Sequence, residues 1–380
     1  MSSGEVDYDV VIVGAGVVGL AVAWALAKSK VTSVLAIEKE SSYGRGTSGR
    51  NSEVIHSGIY YPKDSLKSHY CRAGRDALYR FCRENDVWHA RCGKLVVAQK
   101  GQERELERLH EQALRNEVPD TYLMDATEMA TLEPDVSGRR ALFVGCTGVV
   151  SAHDLMSAFY RHSVEANHDL VVKARVVGVE SRGDRYAVAV EGPGEATYTV
   201  TATWVVNAAG LYGDRVAAFL WGSKEADGLT LHYSKGSYFR LSSRWRHRVQ
   251  HLVYPLPDPE HDSLGIHLSF DQGGAVRLGP DAEWLAENRE DYTVPEDRKE
   301  MFYTAAKRYL PGLDLEDLSP DFAGIRPKLA GPDEGPSDFY IQHETSRGYP
   351  GWINLMGIDS PGLTAAIAIG EDVAKWITEA

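Results

Sequence analysis

The sequence predicts an α/β fold in which a doubly wound domain is assembled from separated segments and a second, α+β domain is inserted into it. Short, mostly apolar runs of buried-strand length lie at residues 8–13, 205–209 and 353–356, and a glycine follows each of them. Long stretches with other patterns separate these runs. A single sheet built from distant parts of the chain accounts for this arrangement.

The N-terminal segment supports the doubly wound part of this prediction. The run at residues 8–13 is closed by Gly14, and residues 17–30 follow with apolar side chains at helical spacing. A second apolar run at residues 34–37 ends at Glu38. The pattern is a strand–helix–strand unit that begins close to the first residue.

The remaining elements follow from their patterns and set the domain division. Helical spacing predicts helices at residues 65–84, 102–116, 152–165, 295–309 and 364–378. Residues 171–203 alternate as a strand meander, and residues 229–278 are strand-like and aromatic. We assign residues 1–88, 149–226 and 322–380 to the doubly wound domain. The inserted domain takes residues 89–148 and 227–321, and we expect a mainly antiparallel sheet in it.

Charge and hydropathy exclude several classes of function. The 380 residues include 41 Lys and Arg against 54 Asp and Glu, which gives a formal net charge of −13. Such an acidic body repels nucleic acid and anionic lipid, and no basic run opposes this. No apolar stretch reaches the ~18 residues of a membrane span, and residues 1–7 lack a secretion signal. We expect a soluble, cytoplasmic protein with no nucleic-acid partner and no integral membrane segment, and peripheral membrane association stays open.

The cysteines predict neither disulfides nor a metal site. Cys71, Cys82, Cys92 and Cys146 form no CxxC pair and have no histidine at metal-ligand spacing. They are typical of reduced thiols that fill a core in a cytosol-like compartment.

A dinucleotide-binding fingerprint lies between the first strand and the first helix. Gly14, Gly16 and Gly19 form a GxGxxG pattern, and Glu38 follows Gly19 by 19 residues at the end of the next strand. The glycines permit a tight turn and a close approach to a diphosphate, which then lies at the helix N-terminus, and the acid binds ribose hydroxyls. NAD and FAD fit this fingerprint equally well.

Three further segments favour FAD and a Rossmann-like domain of the glutathione-reductase type. Small residues at 44–52 directly follow Glu38 and are suited to line an extended diphosphate and ribityl chain. A second strand-to-glycine turn lies at residues 207–214. Residues 357–364 precede the last helix, where amides are suited to the flavin N1–C2=O region that gathers charge on reduction. The predicted cofactor-binding residues are Gly14, Gly16, Val17, Val18, Gly19, Glu38, Lys39, Thr47, Ser48, Asn51, Ser52, Val176, Ala209, Gly210, Pro361, Gly362, Leu363 and Thr364.

A run after the glycine-rich segment resembles a known family. Residues 51–61, NSEVIHSGIYY, resemble the NSGVIHSGIYY signature of L-2-hydroxyglutarate dehydrogenases and oxidases, in the D-amino-acid-oxidase-like flavoprotein superfamily. Matching segments recur in order along nearly the whole chain, at residues 92–95, 147–150, 207–212, 254–257, 264–267, 278–280, 323–328 and 360–364. The resemblance implies FAD, oxidation of a small 2-hydroxy acid, and a substrate domain with a sheet over the flavin.

Two departures from the family concern the substrate. Glu53 stands where the signature has glycine, and it adds a carboxylate near the expected flavin site. The chain also lacks part of a long segment that many relatives carry before residue 323. An added negative charge disfavours binding of a dicarboxylate. We expect Glu53→Gly to improve the turnover of a dicarboxylate substrate if the Glu53 charge lies near the pocket.

Oxidation of a 2-hydroxy acid needs a base for the hydroxyl proton and a group that binds the carboxylate. A neutral histidine suits the base, because its pKa of ~6.5 lies near the working pH. His56, in the signature, and His267, on an alternating strand pattern, are the two candidates, and either is also suited to orient the flavin. Arg326 is the candidate for the carboxylate, because a guanidinium binds it in a bidentate manner.

The predicted catalytic residues are therefore His267, His56 and Arg326, and the predicted substrate-binding residues are His56, Tyr254, His267, Arg326, Lys235 and Tyr238. The leading hypothesis is FAD-dependent oxidation of L-2-hydroxyglutarate to 2-oxoglutarate by hydride transfer to flavin N5. The alternatives are an amine or amino-acid oxidase of the sarcosine- or D-amino-acid-oxidase type, an NAD-dependent dehydrogenase, and a flavin-stabilised binding protein. Oxygen, a quinone and an electron-transfer protein all remain open as the electron acceptor.

Overall fold

A computed structural model describes residues 6–31, 33–194, 196–221, 229–257 and 265–380. The chain forms two compact units, one of Met1–Gly49, Ala152–Tyr233 and Arg326–Ala380, the other of Arg50–Ser151 and Ser234–Ile325. Residues 50–88, which the sequence placed with the doubly wound domain, group with the second unit. The N-terminal residues 1–5, Leu264 and the predicted boundary at 226–227 lie outside the described residues, and the domain division by function stays a prediction.

The first unit contains a mixed sheet whose central strands are parallel. Its strands are Arg175–Ser181, Tyr186–Glu191, Thr197–Asn207, Tyr8–Val13, Val34–Ile37 and Asp169–Val171 in spatial order, with Trp352–Met356 also paired to Thr197–Asn207, and Tyr340–His343 at its side. Tyr8–Val13 pairs in parallel with two neighbours, and its last four residues are buried. The first two predicted strands are confirmed. The sequence revealed them because buried parallel strands are continuous apolar runs.

Thr197–Asn207 is one strand where the sequence predicted two. Its first half pairs antiparallel with Tyr186–Glu191 and mixes exposed with buried residues, with Val200 and Ala202 buried on either side of Thr201, which produces the alternating pattern. Its last residues, Val205 to Asn207, are buried between the parallel strands Tyr8–Val13 and Trp352–Met356, which produces the apolar run. The change of pattern marks a change of neighbour, not the end of a strand.

The helices of the first unit are Val17–Lys28, Ala152–Glu165, Gly213–Trp221 and Gly362–Thr378. The first helix ends two residues before the predicted Lys30, which lies in the left-handed region with a φ of 62°. A Cβ atom at Gly370 would lie 2.6 Å from the Ala21 carbonyl oxygen. The first and last helices therefore pack backbone to backbone, and this contact fixes the position of the last helix.

The second unit contains a larger sheet and a small one. The larger sheet has the order Glu283–Trp284, His232–Leu241, Val276–Leu278, Leu268–Phe270, Leu252–Pro255, Lys94–Ala98, Arg140–Val144 and Thr121–Asp125, and Leu318–Lys328 pairs with His232–Leu241. It is mainly antiparallel, as predicted, and Leu252–Pro255 pairs in parallel with Lys94–Ala98. The small sheet consists of Val54–Ile55, Gly148–Val150 and His89–Ala90.

The helices of the second unit are Leu66–Glu84, Glu103–Arg115, Ala126–Leu132 and Lys299–Lys307. Ser65 caps the first of them by accepting a hydrogen bond from the Ser68 amide. Within the described part of the chain, no helix combines the length and apolar character needed to cross a membrane. The four cysteines are free thiols.

Candidate active site

The turn after the first strand requires glycine at two positions. Gly14 has a φ of 102°, and a Cβ atom there would lie 2.5 Å from the Ala208 carbonyl oxygen. A Cβ atom at Gly19 would lie 2.0 Å from the Gly14 carbonyl oxygen. No side chain fits at either position, so the turn packs directly against the neighbouring strand end and the first helix turn.

The helix that follows this turn has no side-chain cap from its own N-cap residue. Its N-cap residue is Gly16, and the amide of Val17 donates to the Ser48 Oγ at 2.9 Å. The Glu38 carboxylate is nearly buried and accepts hydrogen bonds from the amides of Ala15 and Glu40, each at 2.9 Å. These contacts hold the acid beside the helix N-terminus, the arrangement that binds a diphosphate and its ribose.

Other predicted cofactor residues of the first unit lie at its turns and strand ends. Gly210 has a φ of 56° at the start of a short helical turn, and the Lys39 Nζ lies 4.6 Å from the centre of the Tyr212 ring. The helix Gly362–Thr378 begins after Pro361, again without a side-chain cap bond. The remaining ones in this unit are Val18, Thr47, Ala209, Val176, Leu363 and Thr364. The residues present fit FAD, because the glycine cradle, the acid and the helix N-termini supply what its diphosphate and ribose need.

Asn51 and Ser52 belong to the second unit. The Asn51 side-chain oxygen accepts a hydrogen bond from the Glu53 amide at 2.8 Å, and the Ser52 hydroxyl lies 2.7 Å from the Tyr238 hydroxyl. Both predicted residues thus take part in hydrogen bonds within the second unit, one local and one between distant segments.

The second unit brings several functional side chains together from distant segments. His56 follows the strand Val54–Ile55, and His267 directly precedes Leu268–Phe270. Lys94 begins its strand opposite Leu252, and Tyr254 lies two residues further along the same parallel pair. Paired residues and their i+2 neighbours share one face of a sheet, so Lys94 and Tyr254 point to the same side.

Aromatic rings enclose the lysine of this cluster. The rings of Tyr254 and His267 stack with centres 3.9 Å apart and planes inclined by 10°. The Lys94 Nζ lies 4.5 Å from the centre of the Tyr60 ring and 4.6 Å from that of Tyr254, within the range of cation–π attraction. The same atom donates to the Tyr60 hydroxyl oxygen at 3.5 Å.

The electrostatics of the cluster favour neutral bases. Loss of hydration, with smaller contributions from Lys94 and His267, lowers the pKa of His56 to about 3. Loss of hydration also lowers the pKa of Lys94 to about 7, and burial raises the pKa of Tyr60. At neutral pH, His56 is therefore an unprotonated base, Tyr60 remains a phenol and Lys94 is close to its titration midpoint.

Exposure separates the two histidines. His56 and Tyr60 retain some accessible surface, whereas Lys94 is 0% exposed and His267 is 4% exposed. The His267 Nδ1 lies 3.2 Å from the Gly265 carbonyl oxygen. The two histidines that the sequence singled out are thus near each other, with different access to a small molecule.

Three other predicted substrate residues have different surroundings. Lys235 is buried, and its Nζ lies 2.8 Å from Asp291 and 3.3 Å from Glu283, so its charge is already compensated by two carboxylates. The Tyr238 ring stacks on Phe322 with centres 4.4 Å apart. Arg326, near the end of Leu318–Lys328, is half-buried and belongs to the first unit. The structure does not include these three in the histidine cluster.

Lys94 is the residue that sequence reasoning missed. The segment KLVVA forms a buried strand with a charged residue at its start. A signal was nevertheless present, since lysine is almost never fully buried unless it is paired. Only the fold shows that Lys94 is fully covered and that aromatic rings surround it.

Two known proteins are similar in sequence to almost the whole chain. The chain is 36% identical over 402 residues to "L-2-hydroxyglutarate dehydrogenase, mitochondrial" of Arabidopsis thaliana, which covers 97% of this chain and 83% of the relative. It is 30% identical over 405 residues to "L-2-hydroxyglutarate dehydrogenase" of Escherichia coli strain K12, which covers 97% and 93%.

Solved structures share the fold along almost the whole chain. A dithionite-reduced L-alpha-glycerophosphate oxidase from Mycoplasma pneumoniae with FAD bound superposes with a TM-score of 0.86 at 25% identity, covering 98% of this chain and 94% of the other. Glycine oxidase from Geobacillus kaustophilus has a TM-score of 0.79 at 22% identity, covering 99% and 95%, and shows the fold alone.

The family model described as FAD dependent oxidoreductase matches residues 9–376. This match decides between the two cofactors that the glycine fingerprint left open, and it confirms the predicted superfamily. The cofactor is FAD, and the chain belongs to the FAD-dependent oxidoreductase family of D-amino-acid-oxidase-like enzymes.

Proposed function

We propose that the protein oxidises the anion of a small 2-hydroxy acid, with L-2-hydroxyglutarate as substrate and 2-oxoglutarate as product. The observation that carries this proposal is a neutral, partly accessible histidine, His56, beside a buried lysine in the second unit. The names of the sequence relatives point to the same substrate. An amine-oxidase activity has no comparable support, because glycine oxidase shares only the fold.

His56 is the proposed base. The substrate hydroxyl must lose its proton as the Cα–H bond breaks, and FAD, when bound, accepts the hydride. With its pKa lowered to about 3, His56 is unprotonated throughout the neutral range but is a weak base. It can still take the proton, because loss of the hydride makes the substrate hydroxyl strongly acidic. His267 is better suited to position Tyr254, because its ring is nearly buried and stacked on the phenol.

Arg326 remains the proposed partner of the substrate carboxylate. It is half-buried near the end of a strand in the FAD-dependent enzyme's first unit, and a guanidinium binds a carboxylate with two parallel hydrogen bonds. Arg326→Ala should raise KM if this bond is the same in the ground and transition states, and should also lower kcat if it orients the reacting carbon.

The test is anaerobic mixing of the FAD-loaded protein with L-2-hydroxyglutarate, D-2-hydroxyglutarate, L-glutamate and sarcosine, following the flavin absorbance near ~450 nm. We expect only the L-hydroxy acid to bleach the flavin rapidly. Bleaching by an amine, with none by the hydroxy acids, would replace the proposal with the amine-oxidase alternative.

The role of His56 is tested in the same experiment. His56→Asn should slow flavin reduction by about 100-fold or more, because a positioned base contributes at least that much. His69→Asn is the matched control, since His69 is an exposed histidine of the same unit. Equal reduction rates in both variants would remove His56 as the base.

A further inference from the structure

The histidine cluster contains a buried cation without a buried anion. Lys94 has no accessible surface, and no carboxylate in the described ranges forms an ion pair with it. The other buried lysine of this unit, Lys235, has two such partners. An ammonium group removed from water without a counter-ion is costly, so the protonated form of Lys94 needs compensation from elsewhere.

The surroundings of Lys94 offer only weak compensation. The titratable and charged groups near it are His56 and Tyr60 after the strand Val54–Ile55, Cys71 and Arg75 on the helix Leu66–Glu84, Cys146, Tyr254 on Leu252–Pro255, and His267. Arg75 is a buried cation as well, and it forms an ion pair with Asp76 at 2.8 Å. Burial raises the pKa of the Cys71 and Cys146 thiols, so both are neutral at pH 7. The tyrosine faces attract the ammonium, yet Lys94 still titrates close to neutral pH.

Tyr60 is the link from Lys94 to a small molecule. Its hydroxyl oxygen accepts from the Lys94 Nζ, and its side chain keeps some accessible surface. Its hydroxyl hydrogen is given to no acceptor in the described part of the chain. An ammonium group can only donate, so a protonated Lys94 leaves the Tyr60 O–H free to donate outward, whereas a neutral amine can accept that hydrogen itself.

We propose that Lys94 is a positioning residue that, when protonated, turns the Tyr60 hydroxyl toward a carboxylate of the substrate. The proposal rests on the proposed function for the identity of the substrate as an organic anion. Binding of the anion then brings the missing negative charge to the buried ammonium. The bound anion stabilises protonated Lys94, and protonated Lys94 stabilises the bound anion. Anion binding and protonation of Lys94 are therefore linked.

The test measures proton uptake on binding of glutarate, a dicarboxylate with no hydroxyl to oxidise, to the FAD-loaded protein. Calorimetry at pH 8 in two buffers of different ionisation enthalpy gives the number of protons taken up. We expect more than about 0.5 proton per bound glutarate, and an affinity that falls as the pH rises above about 7, since Lys94 is mostly neutral there.

Two variants test whether Lys94 takes up that proton and whether Tyr60 contacts the anion. Lys94→Met and Tyr60→Phe should each weaken glutarate binding by about tenfold, as expected for the loss of a hydrogen bond to a charged group. Lys94→Met should also abolish proton uptake. Lys63→Met is the control, because it removes one positive charge from an exposed position of the same unit and should behave as the wild type.

The outcomes separate this inference from the proposed function. Suppose that L-2-hydroxyglutarate reduces the wild-type protein, and that either proton uptake is unchanged in Lys94→Met or glutarate affinity is unchanged in Tyr60→Phe. Either result overturns the role of Lys94 and leaves the activity standing. Should Lys94→Met fail to fold, Tyr60→Phe alone decides, since unchanged glutarate affinity in that variant also overturns the proposal. Wild-type protein that L-2-hydroxyglutarate does not reduce contradicts the proposed function instead.

Discussion

At the scale of single residues, the backbone conformation of Glu53 bears on its replacement of the glycine in the signature. From the sequence alone, only the added charge of Glu53 could be considered. Glu53 has a φ of 57°, a backbone conformation that residues other than glycine rarely adopt. Its amide donates to Asn51, and its carbonyl oxygen accepts from the Val150 amide at 2.9 Å, so local hydrogen bonds hold this conformation. The glycine in the resembling signature therefore has a conformational reason.

Glu53→Gly should stabilise the protein. A left-handed residue costs roughly 1–2 kcal/mol, and the greater entropy of glycine in the unfolded chain returns roughly 0.5–1 kcal/mol of this. We expect a net increase of about 0.5–1 kcal/mol in the free energy of unfolding, measured by urea denaturation. Glu53→Gln keeps the strain and removes the charge, so its stability should change by less than about 0.5 kcal/mol.

The same two variants test the charge. If the Glu53 carboxylate opposes a dicarboxylate substrate, both variants lower KM for L-2-hydroxyglutarate to a similar extent. Unchanged KM in both would show that only the backbone conformation distinguishes Glu53 from the glycine of the signature.

At the scale of elements, the turn between the first strand and the first helix was predictable because all of its determinants are local. The glycines, the helix that follows and the acid at the end of the second strand lie within residues 8–38. The long strand Thr197–Asn207 was predicted as two elements because its neighbours change along its length. Local patterns report burial, and burial depends on partners that are distant in sequence.

Gly19→Ala should damage the cofactor turn. The added methyl group would lie 2.0 Å from the Gly14 carbonyl oxygen, so the helix and the turn must move apart. We expect a loss of about 1–3 kcal/mol of stability and a clearly lower FAD content in the purified protein. The ratio of flavin absorbance to protein absorbance measures that content.

Gly46→Ala is the matched control for this prediction. Gly46 lies in the same glycine-rich region of the first unit, and a Cβ atom there meets nothing within 4 Å. This variant should retain FAD as the wild type does. If both alanine variants keep their flavin, the close packing of the turn is not needed for binding.

At the scale of the whole molecule, the sequence predicted the fold class. It predicted only some of the residues of the candidate site. His56 was selected from the signature, His267 from its strand pattern, and Tyr254 as a substrate-binding residue. The three lie together in the second unit. Lys235 and Lys94 were not distinguishable from the sequence, because their carboxylate and aromatic neighbours come from other strands and loops. Contacts between residues that are distant in the sequence cannot be identified from the sequence alone.

The burial of Lys94 also couples one side chain to the stability of the whole protein. Its pKa is about 7 in the folded protein and ~10.4 in an unfolded chain. Between these values the unfolded state binds more protons, so the free energy of unfolding rises with pH across this window. The pKa of His56 lies below the window, and the raised pKa values of Cys71, Cys82 and Cys92, about 12, affect stability only above pH ~8.5.

Unfolding of the FAD-loaded protein in urea at pH 7 and pH 8.5, without added anion, isolates this contribution. From the lower to the higher pH, the wild type should gain about 1–2 kcal/mol relative to Lys94→Met, because each unit of pH adds up to ~1.4 kcal/mol when one proton separates the two states. Lys63→Met should follow the wild type, since an exposed lysine keeps its charge in both states. Parallel pH profiles for the wild type and Lys94→Met would mean that Lys94 stays charged in the folded protein, stabilised by its aromatic neighbours.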